Sequence, residues 1–399
     1  MAVTGIIAEY NPLHTGHRHL LEQVRKGRPE QGILVVMSGD FVQRGEPALT
    51  DKVRRAAMAL EAGADLVIEL PPAYAAGSAE VFARGAVALL KACGCVDELA
   101  FGASCPDPAL LARAADLSEK AVQSAALGEA LRKGLSFPAA AGAALEADDP
   151  AAAALLEDPN NLLAAEYIKA IRRQGAAIKP VPFRRAGAGY RSRELPEDGF
   201  ASAAAVRQAL EDGAGLDAVR RFLPPGVPEK LDYTMFPDDF SAALAAVLER
   251  LAREGKYALT AFADVSPEMA ARILAQSPFT IRFSELTEAI SGRNYTLARV
   301  RRALLHILLG IRPEDQTRPR SIKILGLREG SFVPALVKEK ASLPVLTKTA
   351  DADPRLAGEY AAAHRLYAQA VYFKTGRRLP DDYRQSPLVR KAENDCILF

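Results

Sequence analysis

No stretch of this sequence offers the ~18 uninterrupted apolar residues that a membrane-spanning helix needs. The first apolar run, from Ala2, is short, has no basic segment before it and stops at Glu9, so it does not read as a secretory signal. Cysteine is scarce: Cys93, Cys95, Cys105 and Cys396 are the whole supply. Cys93 and Cys95 stand too close for a usual zinc knuckle and no Cys/His cluster follows, so these thiols read as buried or incidental in a reducing compartment. Net charge is nearly absent. Lys and Arg number 51 and Asp and Glu 49, leaving a formal +2, which excludes a chain-wide polybasic surface and makes any nucleic-acid face local. No internal repeat is visible, although alanine crowds the helix-favouring stretch from Ala109 to Ala165. A cytoplasmic protein is expected.

What is present suits a folded chain. Apolar residues make up 49% and charged residues 25%, enough for a sizeable core, and 399 residues suggest two or three domains. Short, continuous apolar runs at Ala2–Ala8, Gly32–Met37, Asp65–Leu70 and Val96–Phe101 read as buried strands. Helical patterns separate them: one begins at His17 with Leu20, Leu21 and Val24 on one face, one covers Thr50–Ala62 with Thr50 as N-cap, and one covers Ala79–Ala92. Alternation of this kind predicts an α/β fold whose parallel sheet is covered on both faces. Helices follow to about Gln174, then a strand at Ala176–Phe183 and a helix at Ala203–Glu211. Pro224-Pro225-Gly226 is the best internal boundary. It divides an α/β domain, 1–225, from a mostly helical one, 226–399. The latter holds predicted helices at Ala242–Arg253, Pro267–Ala275 and Leu297–Leu309 and irregular stretches at Ser342–Lys348 and beyond Arg377.

Ligands of open parallel sheets sit beyond the carboxyl ends of the strands. His14-Thr15-Gly16-His17 lies there, after the first strand and at the entry to the first helix, and takes two of only five histidines. Gly16 lets the backbone approach a ligand. The helix N-terminus adds unpaired N–H donors and the positive dipole end. Two imidazoles with that dipole make a site for negative charge, such as a phosphate about to leave.

Other segments reach the same edge. Gly39-Asp40-Phe41-Val42-Gln43-Arg44-Gly45 follows the second strand: Arg44 could reach an anion or RNA, and Asp40 a ribose, a histidine or a metal-bound water. Gly102 ends the fourth strand. Of Asn160 and Asn161, one suffices as an N-cap, which leaves the other for a ligand. Arg184 and Arg185 close the late strand beside Gly187 and Gly189, well placed for phosphate. Ser202 stands at a helix start, with Arg207 about a turn on. Charge is concentrated between Arg282 and Glu329, where ten Lys/Arg meet five acids for a net +5. There Arg299 and Arg302 share a helix face, and Gly292-Arg293-Asn294-Tyr295 adds an amide and an aromatic that could stack on an unpaired base.

His14-Thr15-Gly16-His17 resembles the HxGH signature of the nucleotidyltransferase and class I aminoacyl-tRNA synthetase superfamily. The wider context, Glu9-Tyr10-Asn11-Pro12-Leu13-His14 and then Met37-Ser38-Gly39-Asp40-Phe41-Val42-Gln43-Arg44-Gly45-Glu46-Pro47-Ala48, resembles the bacterial tRNA(Met) cytidine acetate ligase family. The likeness continues through Phe101-Gly102, Pro159-Asn160-Asn161, Arg184-Arg185 with Gly187-Ala188-Gly189-Tyr190, Ala201-Ser202-Ala203 with Arg207, and Tyr295-Thr296-Leu297-Ala298-Arg299. It implies a Rossmann-like nucleotidyltransferase domain with a helical tRNA-contacting domain. The implied enzyme activates acetate with ATP to acetyl-adenylate, releases pyrophosphate and acetylates N4 of the wobble cytidine of elongator tRNA(Met), with Mg²⁺ accompanying the triphosphate. The implied ATP contacts are Ile7, Glu9, Tyr10, Asn11, Pro12, His14, Gly16, His17, Gly102, Asn161, Arg184, Arg185, Ser202 and Arg207, with His14, His17 and Arg185 catalytic. Asp40, Gln43, Arg44, Arg293, Arg299 and Arg302 are the substrate or tRNA candidates. The chain departs from the family pattern at Ala103-Ser104-Cys105, where a Ser and an acid are expected, and at Ala204, where Thr is common. Two other functions fit an HxGH chain: a small-molecule adenylyltransferase of cofactor biosynthesis, and a catalytically silent, ATP-holding RNA-binding protein.

Overall fold

The computed structural model describes residues 2–133, 137–185, 194–391 and 396–397. Gly187, Gly189 and Tyr190 lie outside them. The strands are β1 (Val3–Ala8), β2 (Gly32–Ser38), β3 (Phe41–Val42), β4 (Glu46–Pro47), β5 (Leu66–Leu70), β6 (Glu98–Ala103), β7 (Lys179–Arg184), β8 (Ile322–Arg328), β9 (Val345–Leu346), β10 (Leu388–Arg390) and β11 (Cys396–Ile397). The main sheet runs β11-β10-β8-β5-β2-β1-β6-β7, with β9 beside β8. Its centre, from β5 through β2, β1 and β6 to β7, is parallel, and β8 enters antiparallel to β5.

Period-two alternation sends neighbouring residues of β1 and β2 to opposite faces, and both faces are covered. Val3, Ile7, Leu34 and Val36 pack with Val87 and Leu90 of the helix Ala79–Ala92. Ile6, Ile33, Val35 and Met37 pack with Leu21, Val24, Ala56 and Leu60 on the other side. Strands buried twice over must be apolar throughout, which is why these runs read so plainly. β7 is half-exposed at the end of the sheet order, and there Pro180 and Pro182 remove no ladder bond that an inner strand would need.

Three expectations change. The first concerns a cap: the second long helix is Lys52–Glu61, and its N-cap is Asp51, whose Oδ1 accepts from the N–H of Val53 at 2.8 Å and of Arg54 at 3.0 Å. Thr50 is one residue too early to reach them. The second concerns the boundary near 226. Residues 241–309 do form a helical body with its own core of Leu244, Leu248, Met269, Ile273, Leu286, Ile290, Val300 and Leu304. Beyond it, however, the chain returns to the sheet as β8 to β11. The third follows from that return: the stretches read as irregular contain β9 and β10. Lys323 hides β8 by interrupting its apolar pattern. It is nevertheless buried, its Nζ 3.0 Å from Glu69 and 2.7 Å from Asp382, and Lys52 completes a buried quartet with the same two carboxylates.

Candidate active site

A cavity of about 430 Å³ opens at the carboxyl ends of β1, β6 and β7. Its floor is the turn out of β1. His14 is the N-cap of the helix Thr15–Arg25: its Nδ1 accepts from the N–H of Gly16 at 3.0 Å, while Nδ1 of His17 accepts from the N–H of His14 at 3.3 Å. The two imidazoles thus act as a reciprocal capping box. Any side chain at Gly16 would press on the His14 ring, 2.9 Å from its Cε1. The rings stack at 3.8 Å between centroids. With both Nδ1 atoms accepting, a neutral ring must carry its proton on Nε2. Burial, then the charges of Arg185 and Arg207, push His14 down to about 3. His17 moves the same way through burial, His14 and Arg185. The pair is therefore two neutral N–H donors beside two guanidinium groups, with the positive charge on the arginines.

Each arginine is held. Arg185 donates from Nη1 to Oδ1 of Asn160 at 2.6 Å, and its stem crosses Gly102, where a Cβ would stand 3.0 Å from Arg185 Cγ. Arg207 donates from Nη1 to the carbonyl of Asn11 at 2.7 Å. Ser202 caps its helix by accepting from the N–H of Ala205 at 3.0 Å. Gln43 and Arg44, at the tip of the β3–β4 hairpin, also line the cavity, and the Gln43 N–H donates to Glu9 Oε1 at 3.0 Å. Ile7, Glu9, Tyr10, Asn11, Gly16, Gly102 and Arg184 complete the sequence-predicted set that meets here.

A model of the HIGH Nucleotidyl Transferase family matches residues 1–382. The tRNA(Met) cytidine acetate ligase of Caldanaerobacter subterraneus subsp. tengcongensis is 38% identical over 387 residues, 93% of this chain and 95% of its own. The chain belongs to this family. The enzyme of that name from Clostridium perfringens is 32% identical, with 98% of this chain and 100% of the relative covered. Among solved structures, apo TmcAL of Thermotoga maritima superposes with a TM-score of 0.87, and the same protein bound with alpha-thio ATP with 0.85. Both are 29% identical over 98% of this chain and 100% of theirs.

Within this family member, several expected contacts lie elsewhere. Asn161 is buried behind the cavity, its Oδ1 accepting from the Cys105 N–H at 3.0 Å and its Nδ2 donating to the Leu155 carbonyl at 3.0 Å; Asn160 is the one that lines it. Pro12 is buried outside the lining. Asp40 is buried outside the cavity lining, accepting from the Lys52 N–H at 2.8 Å and pairing with Nδ1 of His364 at 2.7 Å, so of the roles open to it, holding a histidine is the one the structure shows. Tyr295 is buried with its hydroxyl 2.9 Å from that of Ser266, and Arg272 and Arg299 cover its ring, so no base can stack on it. Arg302 is held 3.4 Å from Asp264 with its side chain only 13% exposed. Arg293 is exposed and Arg299 half-exposed.

Sequence reasoning missed Arg55. It is fully buried and binds the carbonyls of Thr50 (3.0 Å), Glu9 (2.6 Å), Ser38 (3.1 Å) and Gly39. One guanidinium thereby ties the ends of β1 and β2, and with them the loops that carry His14 and Arg44. Its helical setting resembled any amphipathic helix with a basic residue; the only signal was its position at the sheet's ligand edge. His19 and Phe200 were also missed and line the cavity as neighbouring rings.

Proposed function

We propose that this cavity binds ATP and acetate, forms acetyl-adenylate and passes the acetyl group to N4 of the wobble cytidine of elongator tRNA(Met). The observation that carries the reading is the pair of neutral imidazoles, each with Nδ1 occupied by a backbone donor, beside Arg185 and Arg207 at the end of β1. An acetate oxygen attacks the α-phosphorus and the bond to the bridging oxygen breaks, releasing pyrophosphate. Nε2–H donors on His14 and His17, with Arg185, meet the charge that grows on the phosphates, while Arg207 holds the triphosphate. Fixed donors reorganise little during the step, so positioning supplies much of the acceleration. The cytidine amine then attacks the acyl carbon, AMP leaves and a proton is released. The names of the curated relatives support the tRNA substrate, and the alpha-thio ATP complex of the Thermotoga maritima protein supports ATP.

Mg²⁺ would travel with the triphosphate and offset its charge. No group of three His, Cys, Asp or Glu among the described residues is arranged to hold a metal, so no step is assigned to one. No helix among the described residues is long and apolar enough to cross a membrane, and we place the reaction in the cytoplasm with its tRNA.

The test is incubation with ATP, labelled acetate and bulk bacterial tRNA, followed by nucleoside analysis. N4-acetylcytidine is the expected product, and His14→Ala or His17→Ala should reduce it by about 100-fold or more. A dinucleotide-like product would sink the reading in favour of a cofactor adenylyltransferase. ATP binding without acetate-dependent pyrophosphate exchange would favour a silent RNA-binding protein.

A further inference from the structure

We propose that Glu46 is a positioning residue through which the helix Leu297–Leu309 of the helical body sets Arg207 for the triphosphate; this rests on the reading above, in which Arg207 meets the phosphates. The β3–β4 hairpin lies between the two. Its tip places Gln43 and Arg44 in the cavity, and its far side packs on the helix. Gly45 has φ +75°, and a Cβ there would run into the backbone of Arg301 and Arg302. Hairpin and helix are thus in direct backbone contact, with no side chain between them to absorb movement.

Glu46, on β4, has a side chain only 12% exposed. Its Oε1 accepts from Nη1 of Arg301, and its Oε2 stands 3.8 Å from Nη2 of Arg207. Arg207 also donates to the Asn11 carbonyl at 2.7 Å. The guanidinium is therefore held by one hydrogen bond and one longer ion pair. The first is to backbone in the turn that carries His14. The second is to a carboxylate whose own place is set by a helix from another part of the fold. Glu211, at the end of the helix that bears Arg207, is a further charge near Glu46 and Arg301, and its carboxyl is raised by burial and by Glu46, with Asp238 and Asp212 adding to the rise and Arg301 opposing it. Two anchors orient the fork of N–H groups and leave other donors for phosphate. With Glu46 neutral, one anchor remains and the fork can turn away. The cost falls on triphosphate binding, whereas the histidine donors that act on the reacting phosphate are untouched.

The experiment is acetate-dependent ATP–pyrophosphate exchange by the full chain, with the KM for ATP and the turnover measured separately. Expected results are a rise in KM of about fivefold or more for Glu46→Gln and Arg301→Met, turnover within about twofold, and near-normal KM for Arg301→Lys, which keeps the charge. In an Arg207→Met background, Glu46→Gln should add nothing, because the residue acts only through Arg207. An unchanged KM in Glu46→Gln while Arg207→Met raises it would overturn the proposal. So would multiplying effects in the double variant, or a loss of turnover at constant KM, which marks a merely structural role. An unchanged KM in Arg207→Met would instead overturn the phosphate-binding reading beneath it.

Discussion

At the scale of single residues, the chemistry turns on where protons sit. His14 is neutral because burial, Arg185 and Arg207 all oppose a third positive charge. In the unfolded chain the same imidazole takes a proton near its ordinary value of about 6.5. Below that pH the unfolded state binds more protons than the native one, so stability falls as pH falls. The loss begins near pH 6.5 and continues toward the folded value of about 3. His17, shifted in the same direction, adds to it. Urea midpoints should therefore drop more steeply between pH 7 and pH 4.5 in the native chain than in His14→Gln. Parallel pH profiles for the two proteins would mean that the ring is solvated or already charged, and the pair of neutral donors would have to be abandoned. The residue scale is also where the sequence was least decisive. Asn160 and Asn161 are equivalent in composition and sit one step apart at a helix start. The 100° between successive helical positions turns one toward the cavity and the other behind it, and only the placement of Asp158 as N-cap settles which.

At the scale of elements, the fold holds its ligand edge with buried charge. Arg55 reaches four carbonyls from one helix position, and removing it takes a donor from each, at about 1–3 kcal/mol for every oxygen left buried and unpaired. Arg55→Met should destabilise the protein by more than about 3 kcal/mol in urea unfolding. Arg55→Lys, which keeps the charge but cannot span four acceptors, should fold less stably and bind ATP more weakly. Equal stability of Arg55→Met and the native chain would show the loops to be held by something else. His364, on the helix Pro354–Thr375, anchors the next loop. Its ring contacts Asp40 through Nδ1 and the Pro380 carbonyl through Nε2 at 3.0 Å, an arrangement that a doubly protonated ring satisfies. Burial opposes that charge, but the Asp40 carboxylate outweighs it and the His364 value is raised. Asp40 is itself held at about 2, burial being outweighed by His364 and Lys52. For a raised imidazole the sign is opposite to that of His14: the stabilisation is complete below about pH 6.5 and disappears as pH rises through the folded value. His364→Gln should thus lower the melting temperature more at pH 6 than at pH 9, and a gap independent of pH would exclude the ion pair. Neither anchor could be read locally. The strands β1, β2 and β5 were legible because burial on both faces demands unbroken apolar runs. Asp40 meets a partner 324 positions away, and β8 carries a lysine that only Glu69 and Asp382 make tolerable.

At the scale of the whole molecule, the question is where a nearly neutral protein keeps the local charge that RNA requires. The span from Arg282 to Glu329 carries a net +5, yet the fold commits much of it internally. Lys323 lies in the buried quartet, Arg301 binds Glu46, Arg302 lies against Asp264, Arg328 against Asp65, and Arg320 near Asp353 and Glu359. A run of charge in sequence is thus a poor guide to a charged surface, because ion pairs form between segments distant in the chain. Arg293 and Arg299 remain at the surface of the helical body, the latter packed over the Tyr295 ring. Phosphate contacts dominate RNA affinity and make it salt-dependent, so each such arginine removed should lower the dependence of log affinity on log salt by somewhat under one unit. Arg293→Glu with Arg299→Glu should weaken tRNA binding about tenfold or more at moderate salt, reduce that slope, and leave acetate-dependent pyrophosphate exchange intact. Arg302→Glu should behave differently. It puts a second carboxylate beside Asp264, next to the buried His306 that joins the Ala263 and Ala76 carbonyls, and should lower the melting temperature before it changes RNA affinity specifically. Filter binding of tRNA across a salt series, with melting curves of the same two variants, separates the outcomes. If Arg302→Glu alone lost RNA at full stability while the surface pair bound normally, the RNA would have to approach the side of the helix that faces the hairpin, and the exposed arginines would be solvated charge.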